Sequence, residues 1–506
     1  MIRRFAIPLG FTAALLAMTA VPRVQATPVL IWSFWGAGGV LLVWQLVLAA
    51  FGTRPFRIVK VPPRPQHYIQ SLCHATVYAY WGWYWPPVYD FMPLLLAQLL
   101  FAYAFDILLA WSRGDDYQIG WGPFPIVFST NLFLWFKDDW FYWQFVLIGL
   151  GFAGKAFVRW NREGKRVHIF NPSAFTLAIF SIVLLATGTT NLTWGQEIAS
   201  TLSLGPHIYK VLFAVGLVVM YFFAITTVTA AAAVTLVGLS TLYVSMTGVP
   251  YFVDSDIPSA VFLGLHLLVT DPSTSPRTPI GRLIFGVGYG VGVFGLYSFL
   301  TTLGMPTFYD KLLCVPLLNL AVRAIDGGVK AIGRSEFLHR LALDGPLGRG
   351  NLAHMAVWVA FFALMMNTGS ADGMHRGDSL PFWVQACEEN KPRACERLLR
   401  IEGSYCGDNA GWACNELGRH HLEGTIVAPD PERAMTYFSR ACEGRFQAGC
   451  VNLLDSSTIS RTNPRPLDLR LLLREGGPNL LEMPEPELYQ RACRHGWSFA
   501  CQRAAN

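Results

Sequence analysis

Apolar runs succeed one another from the first residues to about residue 366, after which the chain turns polar and rich in cysteine. Met1 to Ala20 carries Arg3 and Arg4 ahead of an apolar run, and Val24-Gln25-Ala26 fits a small-residue cleavage site. Residues 1–27 therefore read as a signal peptide or a first membrane anchor. The next run, Pro28 to Phe51, is long enough to cross a hydrocarbon core of roughly 30 Å. Further candidate spans lie near 67–86, 90–111, 123–136, 140–158, 172–189, 208–224, 226–249, 257–270, 282–303, 309–325 and 352–367. Two of them, 123–136 and 257–270, are too short to cross alone and predict half-helices or re-entrant segments. The pattern predicts an all-α chain: a polytopic helical membrane domain over 28–367 with inverted-repeat half-helices, a linker over 368–380, and a small helical repeat domain over 381–506.

Composition agrees with lipid as the solvent of the first part. Hydrophobic residues make up 53% of the chain and charged ones 14%, against about 25% charged in average soluble chains. Basic residues cluster at Arg54–Arg64, Lys155–Arg166, Arg277–Arg282 and Arg323–Arg349. Even numbers of candidate crossings separate these clusters, so one orientation puts them all in the cytoplasm. A last crossing at 352–367 then carries the C-terminal domain outside. The net charge of +6 is modest and the basic clusters are short, which argues against nucleic acid as a partner.

Candidate chemistry concentrates at two polar breaks. In the stretch His266 to Phe285 the apolar run ends at Thr270, Asp271 and Pro272. Ser273, Thr274 and Ser275 follow, then Arg277, Thr278 and Arg282. Irregular backbone at membrane depth is tolerated where it lines a cavity or meets a ligand. Hydroxyls and two arginines at such a break suit a phosphate or another anion; the alternative is a cytoplasmic loop whose arginines only orient the chain. Asn171-Pro172-Ser173 repeats this chemistry one break earlier, with Asn as N-cap and Pro at the first helical position. Two such breaks in separate halves predict half-helix ends converging on a site, where helix-start amides favour an anion. His74 and Asp106 lie in apolar surroundings and read as satisfied interior polar groups, and no metal motif accompanies them. The aromatic run Tyr78 to Trp85 is expected at a membrane interface, with a quinone or flavin stacking platform as the alternative.

The segments HIFNPSAFTLA (168–178), GLHLLVTDPSTSPRTPIGRLIFGVGYG (264–290) and VPLLNLAVRAID (315–326) resemble the D subunit of Rnf and the B subunit of Nqr. Those are membrane subunits of ion-translocating, flavin-using electron-transfer complexes. The resemblance covers roughly residues 60–330 and is closer still to a shorter branch of the family, associated with enediyne and other natural-product biosynthesis. It implies a cofactor site at Asn171, Ser173, Thr270, Asp271, Ser273, Thr274, Arg277, Thr278 and Arg282. The family attaches flavin mononucleotide to a threonine that closes an aspartate-led heptad; the partial echo here, Asp256 to Phe262, has phenylalanine at that place. No covalent flavin is expected, and the cofactor implied is a non-covalent flavin (the mononucleotide or riboflavin) or a quinone.

The tail holds eight cysteines in four pairs at one repeated step: Cys387 with Cys395, Cys406 with Cys414, Cys442 with Cys450, and Cys493 with Cys501. On a continuous helix that step spans about 12 Å, whereas a disulfide needs Cα atoms within about 7 Å. Bridging within each pair therefore requires a turn, giving helical hairpins pinned across it. The alternative, a zinc or redox-active set, lacks C-x-x-C spacing. Cys406 to Cys442 has the length of a helical-repeat unit, and the tail resembles Sel-one-like repeats, relatives of tetratricopeptide arrays. Disulfides call for an oxidising compartment, in agreement with the outside location read from charge.

Together these readings give a multi-pass protein of a bacterial inner membrane with its C-terminal domain in the periplasm. The leading expectation is a subunit of a flavin- or quinone-linked electron-transfer system, with neighbouring membrane subunits and a periplasmic protein or peptide as partners. A solute channel of urea-transporter-like architecture and a membrane-anchored interaction scaffold are the alternatives. The sequence contains no nucleophile elbow, dinucleotide fingerprint or phosphate loop, so stand-alone catalysis is not expected.

Overall fold

A computed structural model describes residues 2–51, 54–60, 62, 65–162, 164–253, 255–332, 349–371, 375–407 and 409–454, with 487, 490, 493, 494, 501 and 504. The chain is all-α, and its strands are two short pairs among the described residues. It divides into two compact units, residues 1–239 with 256–372 and residues 240–255 with 373–506.

The first unit opens with α1 (Ile2–Ala17), α2 (Pro22–Gln25) and α3 (Pro28–Phe51). A five-element order then occurs twice. The first set is α4 (Pro65–Tyr84), α5 (Pro87–Arg113), the nine-residue α6 (Pro123–Asn131), α7 (Tyr142–Phe157) and α8 (Pro172–Thr187). After a short α9 (Gly195–Thr201) come α10 (Ile208–Phe223), α11 (Thr226–Thr247), the nine-residue α12 (Ser259–Leu267), α13 (Pro279–Thr302) and α14 (Asp310–Ile332). The helix α15 (Arg349–Thr368) follows. Each set has a nine-residue helix at its middle, too short to cross a hydrocarbon core alone. Among the described residues six helices are long and apolar enough to cross a membrane; α9 and α10 make a seventh only if counted as one span bent by 100°.

Each half-helix stops short because polar side chains take over its backbone groups. At the end of α6, buried Asn131, Gln98 of α5 and Gln144 of α7 form one amide cluster. Asn131 Nδ2 donates to Gln98 Oε1 at 2.7 Å, and Gln144 Nε2 to Asn131 Oδ1 at 3.0 Å. Gln144 Oε1 accepts the Phe136 amide at 2.9 Å, which gives a partner to the irregular, buried segment Leu132–Phe136. In lipid such backbone is viable only with internal partners of this kind. Trp135 in that segment stacks on Phe91, ring centroids 4.1 Å apart, and packs against Trp81 and Trp85. The aromatic run is therefore split: Tyr78 and Trp81 are interior, while Trp83 is exposed.

The second set packs closely through glycines. A Cβ at Gly216 of α10 would lie 1.9 Å from the ring of His266 on α12, and one at Gly286 of α13 would lie 2.4 Å from the Val228 carbonyl of α11. Gly290, one helical turn on, meets Thr235 in the same way. Small residues four apart let two helix backbones approach.

The second unit contains α16 (Leu380–Glu388), α17 (Ala394–Gly407), α18 (Gly411–Glu423), α19 (Pro431–Glu443) and α20 (Gln447–Leu454). The cysteines are bridged in the expected pairs. Cys387 is bonded to Cys395, Cys406 to Cys414, Cys442 to Cys450 and Cys493 to Cys501, with Cα atoms 4.5–4.7 Å apart. Sulfurs committed to these bridges are not thiolates, so the zinc alternative is corrected for all eight. The first three bridges each close a turn between helices, Cys387 and Cys395 between α16 and α17, Cys406 and Cys414 between α17 and α18, Cys442 and Cys450 between α19 and α20. In each of these turns a non-glycine residue takes positive φ: Asn390 and Arg393, Asn409, and Arg445. Trp383, Leu398, Trp412 and Leu417 form the core with the half-cystines Cys387, Cys406 and Cys414, and Cys395 packs against it. Residues 240–255 belong to this unit through buried Arg397, whose guanidinium donates to the carbonyls of Pro250 and Tyr251.

Candidate functional site

The two polar breaks of the first unit meet. Asn171 caps α8: its Oδ1 accepts from Ser173 N at 3.0 Å and Ala174 N at 3.3 Å. Its Nδ2 donates to the Leu268 carbonyl at the end of α12, 2.9 Å away. Its own amide donates to Asn319 Oδ1 of α14, and Asn319 Nδ2 donates to the Thr274 carbonyl at 3.1 Å. Ser173 Oγ donates to the Ile126 carbonyl of the other half-helix. Four helices are thus tied at one place by neutral hydrogen bonds whose buried partners would otherwise be orphaned.

The second break is shaped by Asp271. Its Oδ1 accepts from Ser273 N at 2.9 Å, its Oδ2 accepts from Thr274 Oγ1 at 3.1 Å, and its carbonyl accepts from Ser275 Oγ. This is the local side-chain-to-backbone turn that aspartate favours. No helix starts there. The helix α13 begins at Pro279, with Thr278 as N-cap accepting from Gly281 N. The expectation of a second helix start at Asp271 is corrected; Asn171 is the N-cap expected of it, and its side-chain oxygen accepts from the helix-start amides expected to favour an anion.

Between the breaks lies a cavity of about 540 Å³. Of the residues singled out in the sequence, Asn171, Ser173, Asp271 and Ser273 line it. Thr270, Thr274, Arg277, Thr278 and Arg282 build the loop instead. Thr270 Oγ1 donates to the His266 carbonyl, and Arg282 donates to the carbonyls of Ala224 and Pro276. The Arg277 amide and Thr278 Oγ1 donate to Asp326, which also holds buried Arg162 at 2.7 Å. The sequence reading missed Gln66, His67 and Gln70 of α4, Ser129 of α6, Lys155 of α7 and His168 at the end of the short strand Lys165–His168. A signal was present for some: Gln66 and Gln70 recur at helical spacing where an apolar run begins.

The lining is close to charge-balanced, with Lys155 against Asp271 and His168 Nε2 3.7 Å from Asp271 Oδ2. Neither loop arginine faces the cavity. A phosphate dianion would meet a carboxylate there and only one lysine, so the residues do not suit a mononucleotide's phosphate. They do suit an uncharged ring or amide bearing hydrogen-bond groups. Ser129 Oγ is buried at the cavity wall without a partner, which leaves it ready for one.

Elsewhere, Asp106 accepts a hydrogen bond from Tyr117, as expected of a satisfied interior group. His74 departs from that expectation: it is fully buried and neither ring nitrogen has a partner. Among the described residues no group of His, Cys, Asp and Glu is placed to hold a metal. Comparison of the chain with protein families, curated proteins and solved structures finds no match.

Proposed function

We propose that the chain is an integral membrane subunit of an electron-transfer system, and that the cavity between its two halves binds an uncharged redox ring without a covalent bond. The ring would be a quinone headgroup or an unphosphorylated flavin. The single observation that carries the reading is the cavity itself: two half-helix-bearing sets enclose a volume within the roughly 300–1,000 Å³ of small-molecule sites, polar, near-neutral, with the Ser129 hydroxyl unsatisfied. The sequence resemblance to flavin-using membrane subunits supports the same class of ligand. Bound there, the group supplies electron transfer. The chain's part is to donate hydrogen bonds from Ser129, the Gln66 and Gln70 amides or Lys155, with the His168 ring set beside Asp271 at the cavity wall. In this reading the protein sits in a bacterial inner membrane beside other subunits, and its disulfide-bonded unit docks a protein or peptide in the periplasm.

Organic extraction and an absorption spectrum of the detergent-solubilised chain test the proposal. A quinone or riboflavin should co-purify, and Ser129→Ala should lower its occupancy severalfold. A preparation from the intact native complex with no quinone, flavin or other redox chromophore overturns it.

One observation favours a second reading, a solute pathway: five-element sets with paired half-helices are an arrangement that also suits permeation. Solute flux in proteoliposomes without an electron donor would support that alternative, and its absence would remove it.

A further inference from the structure

The second unit carries a concave pocket of about 570 Å³ built from α16, α17, α18 and the residues that follow. Its ionisable lining is Glu388, Glu402, Glu416 and Glu423 against Arg419 and His420. Acidic side chains on a surface are ordinary; here two are not on the surface. Glu402 is 2% exposed and Glu416 5%. Glu402 Oε2 lies 3.3 Å from His420 Nε2, but the two atoms are not aligned for a hydrogen bond and neither has another partner. Glu416 shares Arg419, at 3.3 Å, with Glu423 at 3.5 Å, and Arg419 Nε is itself unsatisfied. One guanidinium cannot neutralise this many carboxylates, and a buried carboxylate oxygen that accepts no hydrogen bond is destabilising. Beside these acids Val384, Leu398 and Ile426 give an apolar wall. The chemistry missing from the pocket is a cation at the end of an aliphatic stem.

We propose that this pocket binds a lysine or arginine side chain, or a small alkyl ammonium or guanidinium of the same shape, with the charge against Glu402 and Glu416 and the stem along Leu398. The raised proton affinity of Glu416, whose carboxyl burial pushes up to about 7, fits a site whose negative charge is completed by its ligand. The proposal rests on the docking role given above to this unit, and sharpens it to recognition of a basic residue.

The test uses the full chain in nanodiscs and two kinds of probe. One is a fluorescent hexapeptide series with a central arginine, lysine or norleucine; the other is free n-butylguanidinium. The arginine and lysine peptides should bind, the norleucine peptide should bind about tenfold or more weakly, and n-butylguanidinium should compete. Glu402→Gln, which preserves shape, should weaken binding by about tenfold or more, as loss of a buried charged partner does. Glu396→Gln, on an exposed carboxylate outside the pocket, should leave it unchanged, and hydrogen exchange over residues 380–454 shows that both variants fold. Equal binding of all three peptides, insensitive to Glu402→Gln, overturns cation recognition and leaves docking standing. Binding of n-butylguanidinium with no peptide bound retains the cation site and removes docking. If neither probe binds, both are overturned.

Discussion

Glu416 shows how one buried residue sets a property of its unit. Burial is the main reason that its carboxyl is raised from 4.5 to about 7; Glu402 adds to the rise, while Arg419, His420 and Asn415 oppose it. The folded state therefore holds the proton more tightly than the unfolded state. The corresponding stability is fully present below about pH 4.5 and is lost as the pH rises through 7. At about 1.4 kcal/mol per tenfold change in affinity, the whole effect is on the order of 3 kcal/mol. Hydrogen exchange of the full chain over residues 380–454, compared between wild type and Glu416→Gln from pH 4.5 to 8, should show wild-type protection falling relative to the variant. Parallel profiles would refute this account. At the same scale Asn171 was legible in the sequence and Asp271 only partly so. Both are short polar side chains before proline, but Asn171 faces a helix start, whereas the Asp271 side chain closes a turn on Ser273 and Thr274 while Thr278-Pro279 starts the helix. Local spacing does not reveal which of two prolines the helix follows.

Among elements, the half-helices were the clearest prediction. The short apolar runs 123–136 and 257–270 contain Pro123–Asn131 and Ser259–Leu267. Their length limited the choices, since neither could span hydrocarbon alone. The reason they can end inside the unit was hidden, because it depends on Gln98, Asn131 and Gln144 meeting from three helices. The glycines of the Gly286–Gly290 segment likewise gain meaning only when α11 lies against them. Gly286→Ala would put a methyl 2.4 Å from the backbone oxygen of Val228, which can move only with its helix. Overpacking of this kind costs about 1–3 kcal/mol. Thermal unfolding in detergent should show Gly286→Ala destabilised, and Gly295→Ala, where the added methyl meets open space, at least as stable as wild type. Equal loss in both variants would mean that α11 and α13 do not meet at this glycine.

For the whole molecule, the pattern of apolar runs and the cysteine step outlined both parts of the chain, because each reflects a constraint repeated many times. The site was harder to read because it is assembled from six separate segments, and only two of them carried a local motif. Residues of α4, α6, α7 and the strand Lys165–His168 reach the cavity solely through the way the two five-element sets enclose it. Its charge balance follows from the same assembly: Arg282 is turned to carbonyls, Arg277 is held through its backbone amide by Asp326, and Lys155 and Asp271 are left to face the space. The central claim is that this space holds an uncharged redox ring. Photolabelling of the full chain in nanodiscs with an azido-quinone, competed by excess unlabelled quinone, tests it most directly. The account predicts saturable labelling confined to the segments around 66–70, 125–129, 168–173 and 271–273, reduced by Ser129→Ala. Competable labelling elsewhere, or none that saturates, would contradict it.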